Sequence, residues 1–116
     1  MDILLDTNFL IGAMKRKIDV RAQLEEKFEN VAFFVPSRVP EEMDLIPLRE
    51  RKLAKTLMAA LCPIVVQTQG HTDDAIVREA QKRGMAVATQ DLSLKKRLKR
   101  LNLPIITLSQ NRVIVS

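Results

Sequence analysis

Residues 2–11 read DILLDTNFLI, and this stretch joins two different kinds of secondary structure. Residues 3–5 are apolar and predict a buried strand, whereas the residues from position 7 onward have the apolar spacing of a helix. Asp6 lies between the two elements, with Thr7 and Asn8 directly after it. A carboxylate at the end of a buried strand is costly unless a partner offsets its charge. The stretch therefore predicts a strand, a helix and an acidic site at their junction.

The size and composition of the chain are those of one globular domain. It has 116 residues, of which 47% are hydrophobic and 28% charged, and we expect a single domain over residues 1–116. No apolar run approaches the roughly 20 residues that span a membrane. Asp2 and Asp6 flank the first apolar residues, where a signal peptide would need a cationic region. We therefore expect a cytoplasmic protein without a membrane partner.

The chain has one cysteine and one histidine, Cys62 and His71. A lone cysteine cannot form an intramolecular disulfide or a cysteine-type metal site. One histidine excludes zinc held by several histidines, and a serine hydrolase triad could form only through His71. Cys62 is most simply a small core residue. Any chemistry is therefore expected to depend on carboxylates.

The charge balance favours a polyanionic partner. There are 19 basic and 14 acidic residues, which give a net charge of +5 and a pI near 9.7, as is common in proteins that bind nucleic acid. The chain has no Trp or Tyr and only four Phe, so it lacks the aromatic platforms on which single-stranded bases stack. A nucleic acid would therefore be held mainly through its phosphates.

Short apolar runs alternate with amphipathic stretches along the chain, which is typical of strands joined by helices in a parallel sheet. Strands are predicted at residues 3–5, 31–35, 63–67, 85–89 and 104–107, with a further edge strand at 112–116, and helices at 7–16, 19–29, in two parts around Pro47 within 37–61, at 72–83 and at 91–101. In the last helix, Leu94, Leu98 and Leu101 are expected on one face. These elements predict an α/β fold, a three-layer α/β/α sandwich with a mainly parallel central sheet.

Four acidic residues fall where the predicted elements would bring them together. Ligands bind beyond the carboxyl ends of parallel strands, and Asp6 and Asp91 each follow a predicted strand. Glu42 comes shortly after the second strand, and Asp73 lies in the first turn of the helix that follows the third. Clustered carboxylates stay ionised only if a cation offsets their repulsion. Oxygen ligands alone select hard ions, so we expect one or two Mg²⁺ or Mn²⁺ ions.

Each of these residues also has a purely structural explanation. Asp73 and Asp74 at a helix start interact favourably with the helix dipole. Asp91 could cap the helix that follows it, and Thr7 or Asn8 could serve a turn or a cap. Glu41 and Asp44, on either side of Glu42, are most simply solvent-facing. These structural explanations are less convincing for the acidic residues taken together, because the predicted fold brings their positions to one edge of the sheet.

Several motifs resemble those of the PIN domain, the metal-dependent nuclease fold of VapC toxins and of endonucleases that process ribosomal RNA. LLDTNFLI at residues 4–11 is similar to the opening segment of that family, and VPSRVPEEM at 35–43 to its second motif. The remaining matches are TDDAIVREA at 72–80, GMAVATQD at 84–91, LKKRL at 94–98 and PIITL at 104–108. The resemblance thus covers nearly the whole chain and implies a PIN-like fold.

The resemblance also implies roles for individual residues. Asp6, Glu42, Asp73 and Asp91 would form the catalytic metal site. Asp73 is preferred to Asp74 as a metal ligand because of its spacing from Ile76 and Ala80, although Asp74 stays a candidate. Thr7 or Asn8 would orient Asp6 or contact the water around the metal. The adjacent Asp73 and Asp74, with the basic LKKRLKR, look more like the branch that processes ribosomal RNA than like typical VapC toxins.

The chain departs from the family pattern at a few positions. Gln90 stands before Asp91 where the family usually has Asn or Arg, and Met43 replaces Leu. The chain is also shorter than many relatives, so loops that select a substrate would be absent. None of these differences removes a carboxylate, and Met43 should matter only to packing.

The predicted helix after Asp91 carries a dense group of basic residues. They are Lys95, Lys96, Arg97, Lys99 and Arg100, five of the 19 in the chain. Such a run is often only a solvated helix face. Next to an acidic metal site, it could instead hold the RNA backbone while the metal acts on one phosphate.

These observations predict a metal-dependent endoribonuclease that hydrolyses phosphodiester bonds and leaves a 5′-phosphate and a 3′-hydroxyl. Its substrate could be ribosomal, transfer or messenger RNA, and its role could be RNA processing or that of a toxin with an antitoxin partner. The alternative is an RNA-binding scaffold with too little metal affinity for turnover. Apolar residues of the middle helices, Leu57, Met58 and Leu61, could serve either the core or a homodimer interface.

Overall fold

The computed structural model describes residues 1–69 and 72–116, so His71 lies outside the described residues, as does the side chain of Thr72. The strands are β1 (Asp2–Leu5), β2 (Ala32–Pro36), β3 (Ile64–Val66), β4 (Ala86–Ala88), β5 (Ile105–Ser109) and β6 (Arg112–Val115). The helices are α1 (Thr7–Lys15), α2 (Val20–Glu25), α3 (Arg38–Met43), α4 (Leu48–Leu61), α5 (Thr72–Arg83) and α6 (Leu92–Arg100). Each predicted strand and helix is therefore present, with shifted ends.

Within the described residues, six strands form one sheet in the order β3-β2-β1-β4-β5-β6. All neighbouring pairs are parallel except β5 and β6, which form an antiparallel hairpin. Parallel neighbours need long crossover connections, and the helices supply them. The predicted mainly parallel sheet, with an edge strand at the carboxyl end of the chain, is confirmed.

Helices cover both faces of the sheet. Successive side chains of a strand point to opposite faces, and in β1 Ile3 and Leu5 join one core while Leu4 joins the other. The first core includes residues from α1, α2, α3 and α4. The second contains Ile76 and Ala80 from α5 and Leu94 and Leu98 from α6. The three-layer α/β/α arrangement is therefore confirmed, and it explains why β1 is apolar at consecutive positions.

Two helices end earlier than predicted. The helix expected over 19–29 ends at Glu25, and the chain then turns through Asn30, which has a φ of 53°, while Phe28 packs against the core. The last helix ends at Arg100. Leu101, predicted on the buried face with Leu94 and Leu98, is 40% exposed. That part of the prediction is wrong because Leu101 is the C-cap and no longer follows the helical periodicity.

The prediction that Cys62 belongs to the core is also wrong. Cys62 is exposed because it is the C-cap of α4, in the left-handed conformation that reverses the chain. The residue before it, Leu61, is buried, and Leu57 and Met58 pack against the core. These three residues of α4 therefore contribute to the core.

In the described part of the chain, no helix combines the length and apolarity needed to cross a bilayer.

Candidate active site

Asp6 and Asp91 lie where the strand order reverses. After β1 the chain builds β2 and β3 on one side, and then returns to place β4 and β5 on the other. Such a reversal leaves a crevice at the carboxyl ends of the two central strands. Leu5 of β1 pairs with Ala88 of β4, and the backbone N–H of Asp6 donates to the carbonyl of Ala88 over 2.9 Å. Asp6 and Asp91 thus lie at the same edge of the sheet, as predicted.

Asp6 is buried at the junction of β1 and α1, with 6% of its surface exposed. Its backbone is still extended, so its side chain can cap α1, and Oδ1 accepts a hydrogen bond from the backbone N–H of Thr7 over 2.9 Å. Oδ2 accepts from the hydroxyl of Thr89 over 3.0 Å. Both oxygens are therefore held in fixed directions by neighbours at the crevice.

Burial raises the pKa of Asp6 above its usual value of 3.8. The hydroxyl of Thr89, the charge of Arg38 and the N–H of Thr7 act in the opposite direction, while the negative charge of Asp73 raises the pKa further. Desolvation and a like charge both disfavour the ionised form of a carboxyl group. A cation bound at Asp6 would therefore favour its ionised form.

The two adjacent aspartates of α5 have different surroundings. Oδ1 of Asp74 pairs with NH2 of Arg97 on α6 at 2.8 Å. Asp73 instead contributes its charge to the environment of Asp6. Asp74 is thus engaged in an ion pair with Arg97, whereas Asp73 acts on the charge of Asp6, so Asp73 is the better candidate ligand.

Arg38 connects two of the predicted ligands and was missed in the sequence. Its NH2 lies 3.0 Å from Oδ1 of Asp6, and its NH1 lies 2.8 Å from Oε1 of Glu42. Arg38 opens α3 directly after β2, so it lies at the same edge of the sheet. The detectable signal was the spacing of four residues between Arg38 and Glu42, which places both on one face of a helix. Glu41 and Asp44 are exposed, as predicted.

Asp91 serves as the cap of α6. Its Oδ1 accepts hydrogen bonds from the backbone N–H groups of Ser93 and Leu94, at 2.9 and 3.2 Å. The capping explanation considered for this residue is therefore correct for one of its two oxygens. The cap also fixes the direction of the carboxylate at the end of β4.

Thr89, for which the sequence suggested no role, links the two aspartates. It is fully buried, its hydroxyl donates to Asp6, and the same oxygen accepts from the backbone N–H of Asp91 over 3.1 Å. Asn8 accepts from the backbone N–H of Gln90 over 3.1 Å and lies 3.4 Å from the Thr89 hydroxyl. Asn8 therefore reaches Asp6 through Thr89, whereas Thr7 reaches it directly through its backbone N–H.

Gln90, the departure from the family pattern, has a structural role. Its Oε1 accepts from the backbone N–H of Leu108 over 2.8 Å, and its Nε2 donates to the carbonyl of the same residue over 3.3 Å. The side-chain amide thus pairs with the backbone of β5 just beyond the end of β4. The side chain of Gln90 therefore continues the hydrogen bonding of the sheet at this edge, and it is directed to β5 rather than to Asp6 or Asp91.

The basic residues of α6 face away from the core. Leu94 and Leu98 are buried against the sheet, which leaves Lys96, Lys99 and Arg100 exposed and Lys95 partly so. Arg97 is engaged with Asp74. The helix begins at Asp91, so this basic surface adjoins the acidic crevice.

The side chains at the crevice are of the type that binds a hard divalent cation, but those that the structure describes are not grouped closely enough to coordinate one. The candidate donors are all oxygens, and the hydroxyl of Thr7 is buried without a partner among the described residues. Within residues 1–69 and 72–116, however, no group of three or more Asp, Glu, His or Cys side chains is arranged to hold a metal ion. Arg38 lies between Asp6 and Glu42 and supplies the positive charge there.

Comparison with protein families identifies one match over most of the chain. A family described as PIN like domain matches residues 3–111. Ribonuclease VapC4 of Methanocaldococcus jannaschii is 33% identical over an alignment of 123 positions, which covers 95% of this chain and 92% of that protein. Ribonuclease VapC9 of Archaeoglobus fulgidus is 27% identical and covers 93% and 83%, respectively.

Solved structures show the same fold. The PIN domain endonuclease Utp24 superposes with a TM-score of 0.83 at 21% identity, over 99% of this chain and 90% of that one. VapBC2 from Rickettsia felis, solved bound to a DNA fragment from its promoter, superposes with a TM-score of 0.59 at 14% identity, over 94% and 100%. The likeness at these identities concerns the fold.

Proposed function

The chain belongs to the PIN-like domain family, and from that membership we propose that it is a metal-dependent endoribonuclease. Its relatives VapC4 and VapC9 are named ribonucleases, which supports cleavage of RNA. The substrate could be ribosomal, transfer or messenger RNA. The acidic crevice between β1 and β4 would be the catalytic site.

The observation that carries the proposal is the buried carboxylate of Asp6. Burial and the neighbouring Asp73 raise its pKa, so an ionised Asp6 costs folding free energy. Groups kept in an unfavourable environment within a crevice are candidates for function. A fold that needed only a helix cap at this position could use a neutral Ser or Thr.

Asp6, Glu42, Asp73 and Asp91 would hold one or two Mg²⁺ or Mn²⁺ ions. A bound ion would activate a water molecule and offset the charge that develops on the phosphodiester. Thr89 and the N–H of Thr7 orient Asp6 for this task, and the cap interactions orient Asp91. The exposed basic residues of α6 would hold the RNA backbone beside the crevice.

Two biological roles are compatible with this activity, namely RNA processing and the toxin of a two-protein system. The names of its relatives VapC4 and VapC9 are the ground on which we propose an antitoxin partner for this chain. A toxin should arrest growth on expression and be relieved by its partner, whereas a processing enzyme should not arrest growth. Expression of the wild type and of Asp6→Asn separates the two roles.

A second candidate function is an RNA-binding scaffold without turnover. It is favoured by the pairing of Arg38 with both Asp6 and Glu42, because this pairing uses carboxylates that catalysis would need. A scaffold would bind RNA with or without divalent ions and would leave it intact.

Incubation of labelled RNA with Mg²⁺, Mn²⁺ or EDTA tests the proposal. We expect cleavage only with a divalent ion, a 5′-phosphate on the product, and loss of cleavage in Asp6→Asn. Asp2→Asn, an exposed change at the start of β1, is the matched control and should cleave normally. Metal-independent cleavage would contradict the proposed mechanism. Binding without cleavage under every condition would support the scaffold.

A further inference from the structure

Arg38 holds two of the carboxylates that the proposed function assigns to the metal. The planar guanidinium reaches Oδ1 of Asp6 at 3.0 Å and Oε1 of Glu42 at 2.8 Å, so one side chain bridges β1 and α3. Three quarters of the Arg38 side chain is buried. A guanidinium stays charged at every pH at which a protein folds. Without a divalent ion, the crevice therefore contains a permanent internal cation.

This cation occupies the position where it offsets the charge of Asp6. Arg38 is among the groups that lower the pKa of Asp6 against the effect of burial. Charge-assisted hydrogen bonds of this kind are stronger than neutral ones. A divalent ion that binds through the same two oxygens would have to break both contacts, so its affinity is reduced by the free energy needed to separate Arg38 from them.

One hydrogen-bond donor of the Arg38 guanidinium has no partner in the described part of the chain. Its Nε is buried and has no hydrogen-bond partner among the described residues. A buried donor without a partner costs free energy, and the contacts of NH1 and NH2 with the two carboxylates offset this cost. The contacts with Asp6 and Glu42 therefore dominate the placement of the guanidinium.

We propose that Arg38 is an internal competitor of the metal ion, and that its ion pairs with Asp6 and Glu42 set the metal affinity of the crevice. The inference rests on the proposed function, because it takes these carboxylates to be metal ligands. Arg38 acts through Asp6 and Glu42 and is a positioning residue. Its removal frees both ligands and eliminates a positive charge that repels the incoming ion.

Calorimetric titration with Mn²⁺ in the absence of RNA tests the inference. We compare the wild type with Arg38→Gln and with Arg83→Gln as the matched control. Arg83 also pairs with a glutamate four residues away, Glu79, but it does so in the last turn of α5, ten positions from Asp73, and its substitution removes the same charge. We expect Arg38→Gln to bind Mn²⁺ about tenfold more tightly, which corresponds to about 1.4 kcal/mol, and Arg83→Gln to stay within about twofold of the wild type.

Thermal unfolding supplies a readout that separates competition from a merely structural role. In EDTA, Arg38→Gln should melt below the wild type, because Asp6 and Glu42 lose their partner. Mn²⁺ at a concentration that saturates both proteins should then raise its Tm by more than it raises that of the wild type, because the stabilisation of the folded state grows with the logarithm of the ligand concentration divided by the dissociation constant. If Arg38→Gln does not fold, Arg38→Lys replaces it. The lysine ammonium lacks the planar fork with which a guanidinium bridges both carboxylates. The dissociation constant of Arg38→Lys for Mn²⁺ should therefore lie below that of the wild type.

Each result decides the inference. Tighter binding in the Arg38 variant, including binding seen only in that variant, supports it. If the Arg38 variant binds Mn²⁺ as tightly as the wild type or more weakly, the inference is overturned. Mn²⁺ binding by the wild type would in that case still support the metal site of the proposed function. Absence of Mn²⁺ binding in the wild type and in the Arg38 variant overturns both this inference and the metal site of the proposed function.

Discussion

The hydroxyl of Thr89 donates to Oδ2 of Asp6 over 3.0 Å, although 83 positions separate the two residues in the sequence. The same hydroxyl oxygen accepts from the backbone N–H of Asp91. One buried side chain therefore sets the orientation of the carboxylate after β1 and the start of the helix after β4. The candidate site depends on this contact between neighbouring strands.

Thr89→Val should destabilise the protein by about 2 kcal/mol, because it leaves a buried carboxylate oxygen and an N–H without partners. Cleavage should fall as well, since Asp6 loses one of its fixed contacts. Thr89→Ser keeps the hydroxyl and should lose only about 1 kcal/mol, the contribution of one buried methyl group. Urea unfolding measures both variants. A Thr89→Val variant as stable as the wild type would show that the hydroxyl contributes nothing.

Asp6→Asn should be at least as stable as the wild type at pH 7 in EDTA. The pKa of Asp6 is raised by folding, so the folded state binds more protons than the unfolded state between pH 3.8 and the folded pKa. The wild type therefore loses stability relative to Asp6→Asn as the pH rises through that interval. Urea unfolding from pH 3 to 8 measures the difference. A difference that grew on acidification would mean that the pKa is lowered instead.

The two aspartates at the start of α5 should differ in their effect on cleavage. Asp73→Asn should reduce the rate by more than about 100-fold, since even groups that only support a metal ligand cost about 10- to 100-fold. Asp74→Asn breaks an exposed ion pair with Arg97 that is worth about 0 to 1 kcal/mol, and the rate should stay close to that of the wild type. Single-turnover cleavage assays compare them. The reverse order would make Asp74 the ligand.

Lys96 and Lys99 should contribute to RNA affinity through phosphates. In an Asp6→Asn background, which leaves RNA intact, Lys96→Gln or Lys99→Gln should each reduce the dependence of log affinity on log salt by about 0.7 for single-stranded RNA. Fluorescence anisotropy over a NaCl series measures this slope. Lys82→Gln, on the exposed part of α5, is the control. Identical slopes in all variants would assign the basic surface of α6 to solvation alone.

Gln90→Ala should lower stability by about 1 to 2 kcal/mol, because the side-chain amide makes two hydrogen bonds to the backbone of Leu108. Cleavage should change little, since the side chain of Gln90 bonds to the backbone of Leu108 and makes no hydrogen bond to an acidic residue in the described structure. Gln81→Ala on the exposed face of α5 should stay within about 0.5 kcal/mol of the wild type. Urea unfolding and the cleavage assay together check the expectation.

Much of the fold could be predicted because it depends on local patterns. Apolar runs at residues 3–5 and 85–89 predicted strands, and the spacing of Leu94 and Leu98 predicted a helix with one buried face. The position of Asp6 directly after a strand also predicted an acidic edge. The errors occurred at element ends, where Cys62 and Leu101 no longer follow the periodicity of their helices.

The contacts of individual side chains were beyond the reach of the sequence. The adjacency of Asp73 and Asp74 left their roles open, and only their surroundings in space separate them: one affects Asp6, and the other pairs with Arg97. Thr89 has no local feature that distinguishes it from other polar residues, and the spacing of Arg38 from Glu42 does not reveal that Arg38 also reaches Asp6. Their roles follow from partners that lie on other strands and helices.

The sequence alone determined the alternation of strands and helices and the placement of carboxylates at strand ends, because hydrophobic periodicity and turn chemistry act between residues that are close in the chain. The tertiary structure decided that β4 pairs with β1, and therefore that Asp91 lies beside Asp6. It also decided that Arg38 reaches both Asp6 and Glu42. Pairing between distant segments depends on how the whole core packs, and no short stretch of sequence contains that information.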